Sequence, residues 1–380
     1  MPSFLLPPPF LPFVMTDSPL PPFLRKRSAR SRDTTATFAA ILGAFLGLFF
    51  GPAESANAEP FKLVLPTEND AIFSDDPSQF YMYTYRTFEG VSSRPWSGGR
   101  YGLTRNQKRT DSGIVFTKFH EGMDIRPVRR DASDEPLDDV VSIADGKVVY
   151  VNASRSASSY GIYVVVEHDW GEGPFYSLYA HLKTPYVQAG QVLEAGEKLG
   201  LLGYTGAGIN RERAHVHVEL AFLMSTRFQN WYDLHFSSAN RHGIYNGFNL
   251  TGIDLATFYH SRRDDPQLTM ADFIAKETPY YKVLVPNNGV PELLRRHPWL
   301  GKNMVNAVAN ASWEFTFNHV GVPLAIEPSK QGVTYPAISW VQNSTTNHAY
   351  HTIARLSGIG DEAKLSASGS RYVQLATGGF

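Results

Sequence analysis

The chain has 380 residues, 43% hydrophobic and 19% charged, so it can bury a sizeable core and is not a disordered polymer. Lys and Arg number 35 against 36 Asp and Glu, and the net charge of −1 offers no field to hold a nucleic-acid backbone. Cysteine is absent, which excludes disulfides, thiolate nucleophiles and sulfur-ligated metals; a metal site must use histidine and carboxylate.

The N-terminus predicts export. Arg25, Lys26, Arg27, Arg30 and Arg32 precede an apolar run from Ala36 to Phe50, then Gly51-Pro52 and the small-residue site Ala56-Asn57-Ala58. A basic flank, a short apolar core and Ala-x-Ala make a signal peptide over residues 1–58, the alternative being an uncleaved membrane anchor. The run is shorter than the roughly 20 residues that span a bilayer as a helix. With eight prolines, the first 24 residues cannot be a packed element, and Met15 is an alternative start. Periplasmic or secreted, cell-wall-associated localisation is the expectation, with no stable membrane insertion after cleavage.

Residues 59–112 read as an irregular lead-in with few regular elements, marked by turn signals such as Ser97-Gly98-Gly99. Residues 113–224 are dense in short strands: Gly146 to Val151, Ile162 to Glu167, Phe175 to Leu182 and His215 to Leu220, punctuated by glycines. Asn152 to Gly161 reads as a hairpin loop. Short strands without helical period predict an all-β domain, an antiparallel sandwich or barrel-like sheet. Residues 225–380 predict an accessory region of mixed α+β character. It has helices over Asp254 to His260 and Met270 to Lys276, a Thr269 cap, and strands near Phe315, Phe317, Ile338 and Trp340. The role of this region is not readable.

Four histidines and an aspartate carry the chemistry. His120 and Asp124 lie in Phe119-His120-Glu121-Gly122-Met123-Asp124-Ile125, His181 in Tyr179-Ala180-His181-Leu182, and His215 and His217 form a His-x-His pair. With period two, His215, His217 and Glu219 project to one side of a strand, and Val216, Val218 and Leu220 to the apolar side. Ionisable groups on a half-buried face need partners, and a zinc ion is an economical one. In an extended segment His120 and Asp124 share a face and can bind one ion together. Two histidines and one aspartate leave a position open for water, whose acidity the ion raises; the other histidines can take the proton and steady the oxyanion.

In this order the motifs resemble those of the lysostaphin-type, or LytM-domain, zinc metallopeptidases, over about a quarter of the chain. The matching stretches are His120-Glu121-Gly122-Met123-Asp124, Gly146-Lys147-Val148, Tyr160-Gly161 to Val164, Tyr179-Ala180-His181-Leu182, Val187 to Gly196, and His215-Val216-His217. The resemblance implies one Zn²⁺ on His120, Asp124 and His217, with His181 and His215 as the catalytic pair. Glu219 matches an acid that follows the pair; it either orients a histidine or faces solvent. The chain departs from the pattern in a longer, charged Ala207 to Ala214 segment. It also lacks the tyrosine that some relatives carry just before the first ligand.

The expected function is an exported zinc metalloendopeptidase acting on peptidoglycan stem peptides or cross-links by metal-activated water, with cell-wall proteins as further partners. Two alternatives stand beside it: a non-catalytic LytM-type adaptor that binds the wall or activates a separate amidase, and a peptidase acting on proteins. Occlusion of the site by a residue near Asn106 is a further expectation. His168 is read as structural, Arg129-Arg130 and Arg262-Arg263 as solvated faces. Gly203 to Gly208 lacks the lysine and βαβ context of a phosphate loop.

Overall fold

The computed structural model describes residues 61–305 and 310–380, all within one unit of the chain; the expected leader lies outside the described residues. Two short strands come first, β1 (Arg86–Phe88) and β2 (Val91–Ser93), joined by Glu89-Gly90 with positive φ at both residues, as a tight hairpin turn requires. A longer hairpin follows, β3 (Gly102–Thr110) with β4 (Gly113–His120), turning at Asp111-Ser112. The sequence reading expected few regular elements here. Most residues of both strands stay partly or fully exposed, so no apolar stripe announces them.

The central sheet is antiparallel throughout. Its strands are β5 (Met123–Ile125), β7 (Gly146–Asn152), β8 (Ile162–Asp169), β9 (Pro174–Leu182), β11 (Val192–Leu193), β13 (Val216–Leu223) and β14 (Leu250–Ile253). The order is β11-β7-β8-β9-β13-β14, with β5 also pairing β13. β5 takes the first half of β13 and β14 the second half. A small sheet, ordered β10-β12-β6, is built from β6 (Asp139–Val141), β10 (Thr184–Pro185) and β12 (Lys198–Leu201).

Every residue of β13 is buried, so the strand has two inner faces rather than one apolar and one polar. Val216, Val218, Leu220 and Phe222 enter the large hydrophobic core; Ala221 and Leu223 enter a second, smaller one with Tyr163, Val165 and Leu178. Burying each such aliphatic or aromatic side chain is worth roughly 1.5–3 kcal/mol, so the register of this strand is strongly fixed. His217 and Glu219 precede Ala221 on the second face.

Helix α1 (Phe228–His235) lies between β13 and β14. Beyond β14 come α2 (Leu255–Asp264), α3 (Met270–Ala275), β15 (Tyr281–Pro286), α4 (Glu292–Arg296), β16 (Ser312–Phe317), β17 (Pro323–Ser329), β18 (Ala337–Val341), β19 (Leu356–Ser357), β20 (Lys364–Leu365) and α5 (Ala367–Thr377). Asp254 and Thr269 cap α2 and α3 by accepting from Thr257 N and Asp272 N. The four strands β17-β16-β15-β18 form a second antiparallel sheet. Fold class is therefore an all-β domain with an added mixed α+β C-terminal region. The large core runs continuously from Ile72 and Phe80 through the central sheet to Phe315, Phe317 and Tyr372.

Arg262 departs from the expected solvated face. It donates to the Phe61 and Leu268 carbonyls and lies 4.4 Å over the Phe61 ring, pinning the lead-in to α2. Among the described residues no helix is long and apolar enough to cross a membrane.

Candidate metal centre

Strand register assembles the centre. β13 lies between β5 and β9, so His217 stands opposite Asp124 on one side and Ala180 on the other. Directly opposed residues have Cβ atoms about 4.5–5.5 Å apart, which brings the His217 and Asp124 side chains together. His120 closes β4, where the β3–β4 hairpin fixes it opposite Gly102. His181 follows Ala180 with φ +65°, a left-handed conformation that turns it out of the ladder. Gly122, between the first two residues of the motif, has no room for a Cβ, which would meet the Val218 carbonyl oxygen at 2.2 Å.

His120, Asp124 and His217 are 2%, 3% and 5% exposed and their donor atoms converge. His120 Nε2 and His217 Nδ1 are 3.0 Å apart and lie 3.0 and 2.9 Å from Asp124 Oδ1. His215 Nε2 is 3.4 Å from the same oxygen, and the His181 and His215 rings are 4.8 Å apart. The five residues singled out in the sequence thus share one site.

The outer nitrogens decide which way the lone pairs point. His120 Nδ1 faces the Arg100 carbonyl at 2.8 Å, His181 Nδ1 the Thr205 carbonyl at 2.9 Å, and His215 Nδ1 the Arg213 carbonyl at 2.6 Å. A carbonyl only accepts, so each of these nitrogens carries the proton and Nε2 keeps its lone pair. His217 is reversed: Nε2 donates to Glu219 Oε1 at 2.8 Å, which directs Nδ1 inward. Glu219 is fully buried and also accepts from the Tyr160 hydroxyl at 2.6 Å, so it orients a histidine and does not face solvent.

Three acceptors within 3.0 Å of one another repel unless a cation lies among them. Burial works against charge on His217, yet the Asp124 and Glu219 carboxylates outweigh it and push its pKa up to about 10, so a proton takes that place when no metal does. Burial likewise opposes ionisation of Asp124, but His120 and His215 hold it well below the usual carboxylate range. Burial, aided by His215 and His217, drives His181 well below the usual imidazole value and keeps it a neutral base. The donor set, two imidazole nitrogens and a carboxylate oxygen, suits zinc, whose bonds to them run about 2.0–2.2 Å.

The surroundings include residues that the sequence did not announce. Arg105, from β3 and next to Asn106, donates from Nη2 to Asp124 Oδ2 at 2.7 Å. A cleft of about 780 Å³ opens over the centre, and Tyr232, Arg241, His242 and Phe248 of the C-terminal region form one of its walls. The charged segment 207–214 is tied down through Glu212, which accepts from Tyr83, Tyr85 and Arg94 of the lead-in. Thr205, in the glycine-punctuated stretch set aside as a phosphate loop, holds His181 through its carbonyl and Ile162 N through its hydroxyl. His168 is buried elsewhere, with Nδ1 on the Asp145 carbonyl and Nε2 on Ser177 Oγ, both at 2.7 Å.

The centre is thus a buried His-Asp-His cluster on an antiparallel sheet, with two inward-facing histidines beside it. Residues 118–229 match the peptidase family M23. Among curated proteins it is 31% identical over 83 residues to the murein hydrolase activator NlpD of Escherichia coli (strain K12), covering 22% of this chain and 20% of that protein. It is 35% identical over 82 residues to the cell division protein DipM of Caulobacter vibrioides, covering 22% and 12%. The matches thus span a fifth or less of these relatives' length. Similar solved structures include a zinc-containing peptidase from Vibrio cholerae, at 26% identity, 37% and 36% coverage and a TM-score of 0.24. Another is the catalytic domain of lysostaphin from Staphylococcus simulans, at 22%, 32% and 75%, and 0.23.

Proposed function

We propose that the chain is an exported zinc metalloendopeptidase that hydrolyses peptide bonds in bacterial peptidoglycan. The observation that carries this reading is the convergence of His120 Nε2, Asp124 Oδ1 and His217 Nδ1, buried and mutually repulsive without a cation. These three residues would hold the ion. A bound zinc supplies a Lewis acid for the scissile carbonyl and raises the acidity of a water molecule.

The chain's own residues do the rest. His181, neutral and inward-facing, accepts the proton of the attacking water and passes it to the leaving amine. His215 Nε2, beside it, is placed to hold the same proton or to steady negative charge on the substrate oxygen. The Thr205 and Arg213 carbonyls lock the two rings in the productive tautomer. Glu219 and Tyr160 do the same for His217 from behind. The basic, apolar and small-residue stretch at the N-terminus supports export.

A second reading has its own support. The relatives NlpD and DipM carry names that describe activation of a murein hydrolase and cell division, so a wall-binding adaptor that stimulates a separate amidase is the rival. The complete donor set favours catalysis. The test is release of soluble muropeptides from purified peptidoglycan by the protein, with zinc and with a chelator. Release that stops on chelation and returns with zinc supports the peptidase. No release by zinc-loaded protein, together with stimulation of an added amidase, supports the adaptor.

A further inference from the structure

Beside the cleft lies a second recess of about 550 Å³, and the two share Arg105, Lys118 and Arg213. Arg86 adds a fourth cation to its lining, and no aspartate or glutamate lines it. The nearby acids are committed elsewhere. Glu89 pairs with Arg109, and Glu212 is taken by Tyr83, Tyr85 and Arg94. Asp124 takes Arg105.

Arg86, Lys118 and Arg213 therefore have no carboxylate within 4 Å among the described residues. Arg86 spends its guanidinium on the Thr104 carbonyl and lies 5.1 Å over the Phe116 ring. Arg213 donates to the Tyr83 and Gly208 carbonyls. Lys118 is exposed and stands directly opposite Arg105 in the β3–β4 ladder. Like charges opposed across two strands destabilise a hairpin, and an anion between them removes that cost.

The geometry points to a carboxylate subsite: the recess receives an acidic side group of the peptide substrate, held by Lys118, Arg86 and Arg213, while the scissile bond lies over the His120–Asp124–His217 centre. Arg105 spans the two, lining the recess while its guanidinium rests on Asp124, so the subsite is within one arginine's length of the centre. This assignment rests on the peptidase reading and narrows it to peptides that carry a free carboxylate near the cleaved bond. Charge-assisted hydrogen bonds of this kind are about twice as strong as neutral ones, and partly exposed ones weaken with salt.

The test separates binding from catalysis. Fluorescence anisotropy is read on the full chain carrying His181→Ala, with a labelled stem peptide that keeps its free carboxylates and the same peptide with them amidated. The acid form binds ~10-fold more tightly at low salt, an advantage that shrinks at high salt. Lys118→Gln and Arg86→Gln, each added separately, reduce the ratio of the two affinities ~3-fold or more. Equal binding of the two peptides, or an acid preference indifferent to both substitutions, overturns the subsite. So does inorganic polyphosphate that competes as well as the acid peptide, since that marks a general anion site. Hydrolysis is read separately on the unsubstituted chain. An acid preference without hydrolysis keeps the subsite and sinks the peptidase; hydrolysis with equal binding does the reverse.

Discussion

The two large antiparallel sheets use the same backbone rules for opposite ends. In the C-terminal sheet the buried face is aromatic: Tyr281, Phe315 and Phe317 are fully buried, with Tyr281 and Phe317 stacked at 5.1 Å. Its charges pair off near the surface, Lys282 lying 3.1 Å from Glu314 and 3.7 Å from Glu327. In the central sheet the charges are buried and their acceptors converge, His120 Nε2 and His217 Nδ1 lying 3.0 Å apart, so a proton or a metal ion has to lie among them. Buried polar groups that satisfy one another hold a fold; buried groups left with a surplus of the same kind await something else.

His168 makes the same distinction within one sheet. It is as buried as the cluster histidines, but a carbonyl and a hydroxyl satisfy both of its nitrogens. No lone pair is left for a metal. Burial alone therefore does not mark the functional histidines; the direction of the unspent nitrogen does.

The comparison can be broken at its apolar end first. Phe315→Ala empties a fully buried position and should cost about 3–5 kcal/mol of stability while zinc content stays that of the parent. Urea unfolding and metal analysis read the two together, and a loss of zinc in folded protein would mean that the two sheets are not separable in role.

His168 gives the next largest effect. Burial lowers its pKa to about 4, below the ordinary 6.5, and His297 is lowered to about 4 in the same way. The unfolded chain then binds more protons between these values. The stability tied to neutral His168 is full above pH ~6.5 and is lost as pH falls toward ~4, by roughly 3 kcal/mol at most. His168→Gln should lower stability at neutral pH yet flatten its decline in acid, seen as urea midpoints against pH. A decline as steep as the parent's would show that His168 is charged in the folded protein.

A smaller effect is expected behind the centre. Glu219→Gln keeps the shape but weakens the hold on His217 and should reduce zinc affinity ~10–100-fold, measured by competition with a chelator. Unchanged affinity would place Glu219 outside the support of the metal.

Much of this was legible in the sequence. Period-two alternation put His217 and Glu219 on one face of β13, and the glycine-bounded, β-branched runs located β7, β8 and β9. Thr269 announced its helix by capping chemistry. What stayed hidden depends on partners distant in the chain, for which no local spacing exists. Glu212 meets Tyr83 and Tyr85 across 129 and 127 positions, and Tyr101 donates to the Gly252 carbonyl across 151. Arg105 sits in a strand with no apolar stripe, so nothing nearby marks it as the arginine that reaches Asp124. The polar face of β13 reads as half-buried, but every residue of the strand is buried, and Tyr232, His242 and Phe248 of the C-terminal region line the cleft beside it.

The most direct test of the centre is zinc content of the full chain and of two single variants, by metal analysis after dialysis, with turnover on peptidoglycan beside it. The account predicts one zinc per parent chain, none in His217→Ala, and one in His181→Ala with turnover lowered ~10²–10⁴-fold. A metal-free His181→Ala variant, or a His217→Ala variant that keeps its zinc, would contradict the division between the residues that hold the ion and the residue that moves the proton.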